Sequence, residues 1–374
     1  MPEASHDLRR RRSLWHIIHI DPVLLILLLC LTVFGLVVLY SASEGNSSLI
    51  RRQCVFIIIA YIGMFSIAQI RLGHFARWSI LLYLGALVLL VLVLFWGVGA
   101  KGAQRWLSVG GFRFQPSEMM KLAMPIAIAA YLSNKSLPPH LKHVVCSLLF
   151  VAIPTVLIVR QPDLGTSILV AASGIIVLFY AGLPWRYIAA AFALLVSSLW
   201  PMWHYVLHDY QRSRVLTLFN PEADKLGAGW NIIQSKTAIG SGGFDGKGWL
   251  NGTQSHLDFL PESHTDFIIA VLAEEFGFIG VVCLLILYLL IVFRGLFIAL
   301  NAQDGFQRLL AGSITLTFFI YIFVNVGMVS GLLPVVGVPL PLVSLGGTSL
   351  VTLMLGFGLL MGISAEPQRI SNNR

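Results

Sequence analysis

The chain has 374 residues, of which 57% are hydrophobic and only 11% are charged, with a formal net charge of +8. Soluble domains carry about 25% charged residues, so this composition excludes an ordinary soluble protein. Apolar runs recur along the chain, and each is long enough to cross a bilayer. Because lipid offers no partner to backbone N–H and C=O groups, spanning elements must be helices or a closed barrel, and unbroken runs such as 23–40 favour helices.

In chain order, ten spans are predicted near residues 22–43, 53–70, 77–99, 116–132, 144–160, 164–183, 186–207, 266–295, 307–331 and 348–364. The basic cluster 9–12 places the N-terminus in the cytoplasm, and an even number of spans brings the C-terminus to the same side. Residues 208–265 are polar and glycine-rich, and we expect them to form a long loop on the outer face, between helices seven and eight. The predicted fold class is an all-α polytopic integral membrane protein, with residues 1–374 as one membrane domain.

Several other function classes receive no support from the sequence. The basic residues lie between apolar runs, where they set topology and contact anionic lipid headgroups, so they do not indicate a nucleic-acid partner. The four cysteines lie inside apolar runs and are predicted to pack as small residues. The glycine-rich run 240–248 lacks the spacing of a nucleotide-binding loop. No Cys and His cluster has metal-ligand spacing.

Acids and bases gather at the outer ends of the predicted spans. Three helix starts there carry an acid, namely Glu118, Asp163 and Asp266. The nearby basic residues are Arg105, Lys121, Arg160, Arg212, Arg214, Lys236 and Lys247. Helix N-termini and cations favour phosphate groups, and a carboxylate offers a general base. The pattern therefore fits a site for a phosphate-bearing lipid, and it fits equally well a set of helix caps paired with neighbouring bases.

The eighth span carries two further acids. Glu274 and Glu275 follow Asp266 about 12 Å further into the membrane, at ~1.5 Å per residue. Acids at that depth either brace the bundle or relay protons, and we favour bracing. Small residues on one stripe of this helix would let another helix approach closely. They are Ala270, Ala273 and Gly277.

Motifs along nearly the whole chain resemble the SEDS family of bacterial cell-wall proteins (shape, elongation, division and sporulation). The matching segments are 101–106 (KGAQRW), 114–118 (FQPSE), 161–166 (QPDLGT), 208–212 (HDYQR), 240–243 (GSGG), 259–262 (FLPE), 264–267 (HTDF) and 338–344 (VPLPLVS). The run 246–255 and the short N-terminus resemble the family's elongation member more than its division member. Leu345 departs from the family pattern, which has Tyr before Gly-Gly.

This resemblance implies a peptidoglycan glycosyltransferase of the bacterial inner membrane. It would polymerise lipid II, a disaccharide-pentapeptide on undecaprenyl pyrophosphate, at the outer (periplasmic) face during cell elongation. The family's catalytic aspartate falls on Asp266, and Trp106, Glu118 and Lys121 fall on positions of its outer cavity. The implied partners are a class B penicillin-binding protein and other elongation-complex proteins.

The predicted chemistry is a single inverting displacement in which Asp266 takes the proton of the acceptor hydroxyl. The pyrophosphate leaving group needs charge stabilisation, alone or with a divalent cation such as Mg²⁺ or Mn²⁺. The candidate cations are Arg105, Lys121, Arg212, Arg214 and Lys247. Two alternatives stay open. A lipid II flippase would place its site near the membrane midplane, and a non-catalytic scaffold would not depend on Asp266.

Overall fold

The computed structural model describes residues 18–100, 103–110, 112–206, 209–224, 228–253 and 263–366. These residues form a mostly helical bundle. In chain order its helices are α1 (Pro22–Ala42), α2 (Ser47–Ala68), α3 (Leu72–Trp96), α4 (Pro116–Ser133), α5 (Leu141–Val159), α6 (Leu164–Tyr180), α7 (Trp185–Pro201), α8 (Asp209–Phe219), α9 (Ala228–Gly242), α10 (Ile268–Asn301), α11 (Gly305–Val329) and α12 (Gly347–Ala365).

Seven of these helices are long and apolar enough to cross a membrane, judged by length and composition alone. They are α1, α2, α3, α5, α10, α11 and α12. Helix α6 is apolar but shorter. A helix lies near each predicted span, while the number of ten crossings stays a prediction.

The link between α3 and α4 is not helical, so the all-α prediction is wrong there. Strands β1 (Val98–Ala100), β2 (Ala103–Val109) and β3 (Phe112–Phe114) pair antiparallel in the order β1-β2-β3. A Gly-Gly pair at 110–111 separates β2 from β3, which is typical of a tight hairpin turn. The prediction overlooked this turn signal because apolar helical spans dominate the rest of the chain.

The segment 208–265, predicted as a polar loop, is largely helical where the structure describes it. It contains α8, a short 3-10 turn at Pro221–Asp224, and α9. In α9 the buried residues Ile232, Ser235 and Ala238 recur at helical spacing. The Ser235 hydroxyl donates to the carbonyl of Val329 at 3.1 Å and ties α9 to the end of α11. The polar, glycine-rich composition masked this packed stripe.

Helix α4 lies at the centre of the bundle. It is buried on nearly every side and packs against α3, α6 and α11, as expected for a core helix. Helices α1, α2, α3 and α5 bury less of their length and expose large apolar side chains. Such a surface suits contact with lipid, because a helix satisfies its own backbone groups.

Polar contacts at both ends fix α1 antiparallel to α10. At the start of α1, Asp21 accepts hydrogen bonds from Arg294 at 2.6 Å and from the Leu24 amide at 2.9 Å. Burial raises the pKa of Asp21, but these hydrogen bonds and one from Ser364 lower it by more. The net result is a pKa below the ordinary value of 3.8. The Asp21 carboxylate is therefore ionised at neutral pH when it contacts Arg294.

At the other end of α1, Ser41 donates to the carboxylate of Glu275. The helix between residues 21 and 41 spans about 30 Å at ~1.5 Å per residue, which matches the hydrocarbon core of a bilayer. Glu275 therefore lies level with the end of α1. The depth of this acid in the membrane stays a prediction.

Helix α10 breaks at Gly277, where φ is 63° and ψ is −162°. Residues 243–248 pair the backbone groups that the break releases. The carbonyls of residues 274–275 accept from the amides of residues 247–248, and the amides of residues 278–279 donate to the carbonyls of residues 243–244, at distances of 2.9 to 3.3 Å. A Cβ at Gly277 would lie 2.3 Å from a backbone nitrogen, so only glycine fits there.

The side chain of Glu274 fastens the clamp segment, which we define as residues 243–253. Its Oε1 accepts from Lys247 Nζ at 2.7 Å and from the Thr253 amide at 2.8 Å. Glu274 is fully buried, and Lys247 is partly exposed. These contacts fit the bracing role favoured from the sequence.

The contact between α9 and α10 generates a stability prediction with a built-in control. A Cβ on Gly242 would lie 1.9 Å from the Ala273 carbonyl oxygen, whereas Gly240 in the same helix has open space around it. We expect Gly242→Ala to push the helices apart and to destabilise the fold by about 1–3 kcal/mol, as overpacking does. Gly240→Ala should keep or slightly raise the melting temperature of the purified protein in detergent. Equal melting temperatures for the two variants would contradict this packing.

Candidate active site

A cavity of about 650 Å³ lies where the starts of α4, α6 and α12 meet the hairpin, α9 and the loop after α11. This volume falls in the range of small-molecule sites. Six residues predicted from the sequence line it together: Arg105, Trp106, Glu118, Lys121, Asp163 and Asp266. Residues from distant parts of the chain therefore converge on one place.

The start of α4 places an ion pair in this cavity. Pro116 occupies the first turn, where its missing N–H costs nothing, and Glu118 complements the positive end of the helix. Lys121 follows one turn later, on the same face. Its Nζ lies 2.6 Å from Glu118 Oε1, and the two side chains are only 6% and 7% exposed.

The ion pair keeps capacity for further hydrogen bonds. Among the described residues, neither Glu118 Oε2 nor the hydroxyl of Tyr321 has a hydrogen-bond partner, although both are buried. The Lys121 ammonium lies 4.7 Å from the centre of the Tyr321 ring, within the range of a cation–π contact. Buried polar groups gain when they find a partner, so these atoms can receive a polar ligand.

The start of α6 joins the hairpin to α4. Asp163 caps α6 by accepting from the Thr166 amide at 3.3 Å, and its other oxygen accepts from Gln115 Nε2 at 2.9 Å. Arg105 Nη1 lies 3.8 Å from the same carboxylate. Arg105 also donates to the carbonyl of Pro162 at 2.5 Å. Asp163 is therefore a helix cap that also lines the cavity, and its part in a substrate site stays a prediction.

Asp266 lines the cavity from a turn that precedes α10. The helix begins two residues later, at Ile268, so Asp266 does not open it as the sequence suggested. The residue is half-buried, whereas residues 267–275 are buried. A Cβ on Gly337 would lie 3.5 Å from Asp266 Oδ2, which places the loop after α11 beside the carboxylate.

Two cations predicted from the sequence lie away from the cavity, and the side chain of a third is not described. Arg212 lies 3.7 Å from Asp209 and donates to the carbonyl of His204, and Lys247 belongs to the clamp segment. Neither is among the described residues that line the cavity. Arg214 belongs to α8, but its side chain lies outside the described residues. Their contact with substrate stays a prediction.

The divalent cation considered from the sequence also stays a prediction. Within the described ranges, no group of three His, Cys, Asp or Glu side chains is arranged to hold a metal ion. Two acid–base pairs of the cavity are in contact, Lys121 with Glu118 and Arg105 with Asp163.

Sequence reasoning missed several cavity residues. Trp230 and Asn231 belong to α9, which was taken for a loop, and Tyr321 sits in an apolar run without any local signal. Residues 345–349 bring the start of α12 to the cavity, and its N-cap Gly346 makes no side-chain hydrogen bond. The sequence predicted a span from residue 348 but did not indicate that its start lines the cavity.

Comparison with known proteins agrees with the motifs. Residues 22–369 match the sequence profile of the FtsW, RodA and SpoVE family, described as cell cycle proteins. The peptidoglycan glycosyltransferase MrdB of Escherichia coli strain K12 is 49% identical over 367 residues, which cover 98% of this chain and 99% of the relative. A probable peptidoglycan glycosyltransferase FtsW of Trichlorobacter lovleyi is 38% identical, over 92% of this chain and 93% of the relative.

Solved structures share the fold. A chain from a peptidoglycan synthase complex that coordinates polymerization and crosslinking has a TM-score of 0.80 and 32% identity, covering 92% of this chain and 97% of that one. The rod shape determining protein RodA of Thermus thermophilus has a TM-score of 0.70 and 29% identity, covering 92% of this chain and 96% of its own. This chain therefore belongs to the FtsW, RodA and SpoVE family of cell cycle proteins, which is the SEDS family that its motifs indicated.

Proposed function

We propose that this protein is a peptidoglycan glycosyltransferase that polymerises lipid II into glycan strands during cell elongation. The observation that carries the proposal is the cavity itself, which brings the cations Arg105 and Lys121 to the same space as the carboxylate of Asp266. A reaction that expels a pyrophosphate and deprotonates a hydroxyl needs both kinds of group. The names of the relatives, peptidoglycan glycosyltransferases, support the same activity.

Asp266 acts as the general base in this proposal. Its carboxylate takes the proton of the acceptor sugar hydroxyl, and the freed oxygen forms a bond to the anomeric carbon of the donor. The bond from that carbon to the pyrophosphate oxygen breaks, and its electron pair leaves with the pyrophosphate. A single displacement inverts the α linkage of the donor to β. No general acid is needed, since pyrophosphate leaves as an anion.

Lys121 and Arg105 stabilise the leaving group. Negative charge grows on the pyrophosphate as the bond breaks, and preorganised cations in a water-poor site act strongly on such charge. Lys121 is held by Glu118 and by the ring of Tyr321, so it needs little rearrangement. The start of α12 lines the same cavity and adds the positive end of a helix.

One feature of the structure favours the flippase alternative, namely the break in helix α10. Transporters use broken helices to offer free backbone groups to a substrate near the midplane. Here the clamp segment occupies those backbone groups at Gly277. The cavity instead gathers side chains at three helix starts, which suits chemistry on a headgroup.

We place the protein in the bacterial inner membrane, with ten crossings, both termini in the cytoplasm and α8, α9 and the clamp segment in the periplasm. The basic cluster 9–12 supports this orientation. A class B penicillin-binding protein is the proposed crosslinking partner, beside other elongation-complex proteins and membrane lipids. The likeness to a chain from a complex that coordinates polymerization and crosslinking supports that partner.

The first functional prediction concerns the base. Asp266→Asn keeps the shape of the side chain and removes the proton acceptor, so we expect polymerisation to fall by about 10²–10⁴. Purified protein should be assayed with lipid II in detergent, alone and with its penicillin-binding partner, because flipping has no meaning without a bilayer. Asp304→Asn is the matched control, since Asp304 is an exposed acid at the start of α11.

The alternatives give different results in the same assay. Normal polymerisation by Asp266→Asn would remove Asp266 as the base. A wild-type protein that makes no polymer under any condition, yet moves lipid II across liposomes, would establish the flippase. The scaffold requires that polymer formation come from the partner alone.

The second functional prediction concerns the cations. Lys121→Met should lower kcat by about 10²–10³, as expected for a lost transition-state donor. Because this change leaves the buried Glu118 carboxylate unpaired, the double variant Lys121→Met with Glu118→Gln is needed to restore a neutral site. The double variant should fold and stay inactive. Arg212→Gln, outside the cavity, tests the wider set of cations, and a loss equal to that of Lys121→Met would extend the binding surface to α8.

The third functional prediction concerns topology. Asp209 and Ser136 are both exposed, one at the start of α8 and one between α4 and α5. In a cysteine-free background, Asp209→Cys should react with an impermeant thiol reagent once the outer membrane is permeabilised. Ser136→Cys should react only after the inner membrane is lysed. The reverse pattern would move the cavity to the cytoplasmic side and overturn the proposed function.

A further inference from the structure

We infer that Ser344 and Asn325 are positioning residues that hold Asp266 in place for proton transfer. The inference rests on the proposed role of Asp266 as the base. Ser344 belongs to the family motif at 338–344, and the inference gives that motif a structural role.

Asp266 is not positioned by its own helix. It belongs to the turn at residues 263–267, and α10 begins only at Ile268. The hydrogen-bond ladder of a helix fixes only residues inside it. Other contacts must therefore set where the Asp266 backbone lies and how its side chain meets the cavity.

Three consecutive carbonyls supply those contacts. Residues 264–266 each accept one hydrogen bond from a different donor. The carbonyl of residue 264 accepts from the Leu345 amide at 3.0 Å, and that of residue 265 accepts from the Ser344 hydroxyl at 2.5 Å. The carbonyl of Asp266 itself accepts from Asn325 Nδ2 at 2.9 Å. The turn is thus held along its length.

The donors are themselves fixed. Asn325 is fully buried in α11, and its Nδ2 also donates to the carbonyl of Val338 at 2.7 Å. Ser344 is 3% exposed, and its Oγ accepts from the Leu340 amide at 2.9 Å while it donates to the turn. Gln53 of α2 donates to the Ser344 carbonyl at 3.3 Å. Each donor has little freedom to move away from the turn.

The loop that carries Ser344 is a buried platform. Leu340, Leu342 and Val343 are at most 3% exposed, and the Tyr288 hydroxyl donates to the carbonyl of Pro341 at 2.6 Å. Non-helical backbone is tolerated in a membrane protein where the surrounding protein pairs it. This platform connects α2, α10 and α11 to the turn, so the position of Asp266 follows from the core of the bundle.

Precise placement of the base determines the rate. A displacement of about 1 Å can cost roughly 10²-fold in a rate, even when no reacting group is lost. Losing one donor would also remove one of the hydrogen bonds that hold the part-buried turn, which favours a shift of the turn. The substrate cations Arg105 and Lys121 lie on other elements, so binding of lipid II should persist.

The experiment compares kcat and KM for lipid II polymerisation among matched variants. We expect Ser344→Ala and Asn325→Leu to lower kcat by about 10–10²-fold with KM little changed. Ser344→Thr keeps the hydroxyl and should recover most of the rate. Ser313→Ala is the control, because Ser313 is fully buried in the same helix as Asn325 and donates to a carbonyl at 2.7 Å, that of Ser173. It should retain the wild-type rate.

A second arm asks whether Ser344 acts through Asp266. In an Asp266→Asn background, measured by its residual rate, Ser344→Ala should cause little further loss, because a mispositioned Asn costs nothing more. The same fold-loss as in the wild-type background would overturn the inference. So would wild-type kcat in both Ser344→Ala and Asn325→Leu, or a loss that Ser344→Thr does not recover.

Failure of the inference differs from failure of the proposed function. If Asp266→Asn polymerises at the wild-type rate, the base assignment itself fails. If Asp266→Asn is inactive while the Ser344 and Asn325 variants are normal, only the positioning role fails. Melting temperatures are measured for every variant. Because Ser344 and Asn325 are tested separately, the result does not depend on whether one of the variants folds.

Discussion

The break of α10 at Gly277 is the constraint on which the rest of the structure depends. A helix cannot be interrupted within a membrane bundle unless its released backbone groups are paired. Residues 243–248 meet that requirement, so the chain after α9 must return to the break. The clamp segment therefore keeps α9 against α10, with Gly242 at the point of closest approach. Helix α9 in turn delivers Trp230 and Asn231 to the cavity.

The cavity contains charges of both signs, and its cation can still contact a ligand. A buried ion pair is costly to desolvate and is weak evidence for stability, so the Glu118–Lys121 contact calls for another reason to exist. Glu118 holds Lys121 in orientation while its second oxygen and the Tyr321 hydroxyl retain hydrogen-bond capacity. A cation held in this way can meet a pyrophosphate without moving, which is how electrostatic preorganisation lowers a barrier.

The sequence predicted the helices well because apolar runs report directly on contact with lipid, as in α1 and α10. It predicted the cavity in part, since Glu118, Asp163 and Asp266 carry the signals of helix starts and lie together in the structure. It failed where tertiary contacts decide. Helix α9 has a polar composition, and the break at Gly277 depends on residues far away in the chain. Glu274, which pairs with Lys247, likewise lies far from it in the chain, and substrate contact by Lys247 and Arg212 stays a prediction.

The rigidity around Asp266 bears on the choice between enzyme and transporter. A transporter must open its site alternately to the two sides, so the elements that carry the site must move against each other. Here the turn that bears Asp266 is bonded to α11 through Asn325 and to the buried platform through Ser344. The platform is tied in turn to α2 and α10 by Gln53 and Tyr288. A site anchored to this many elements cannot alternate without breaking buried hydrogen bonds, whereas a catalyst gains rate from the same fixed geometry.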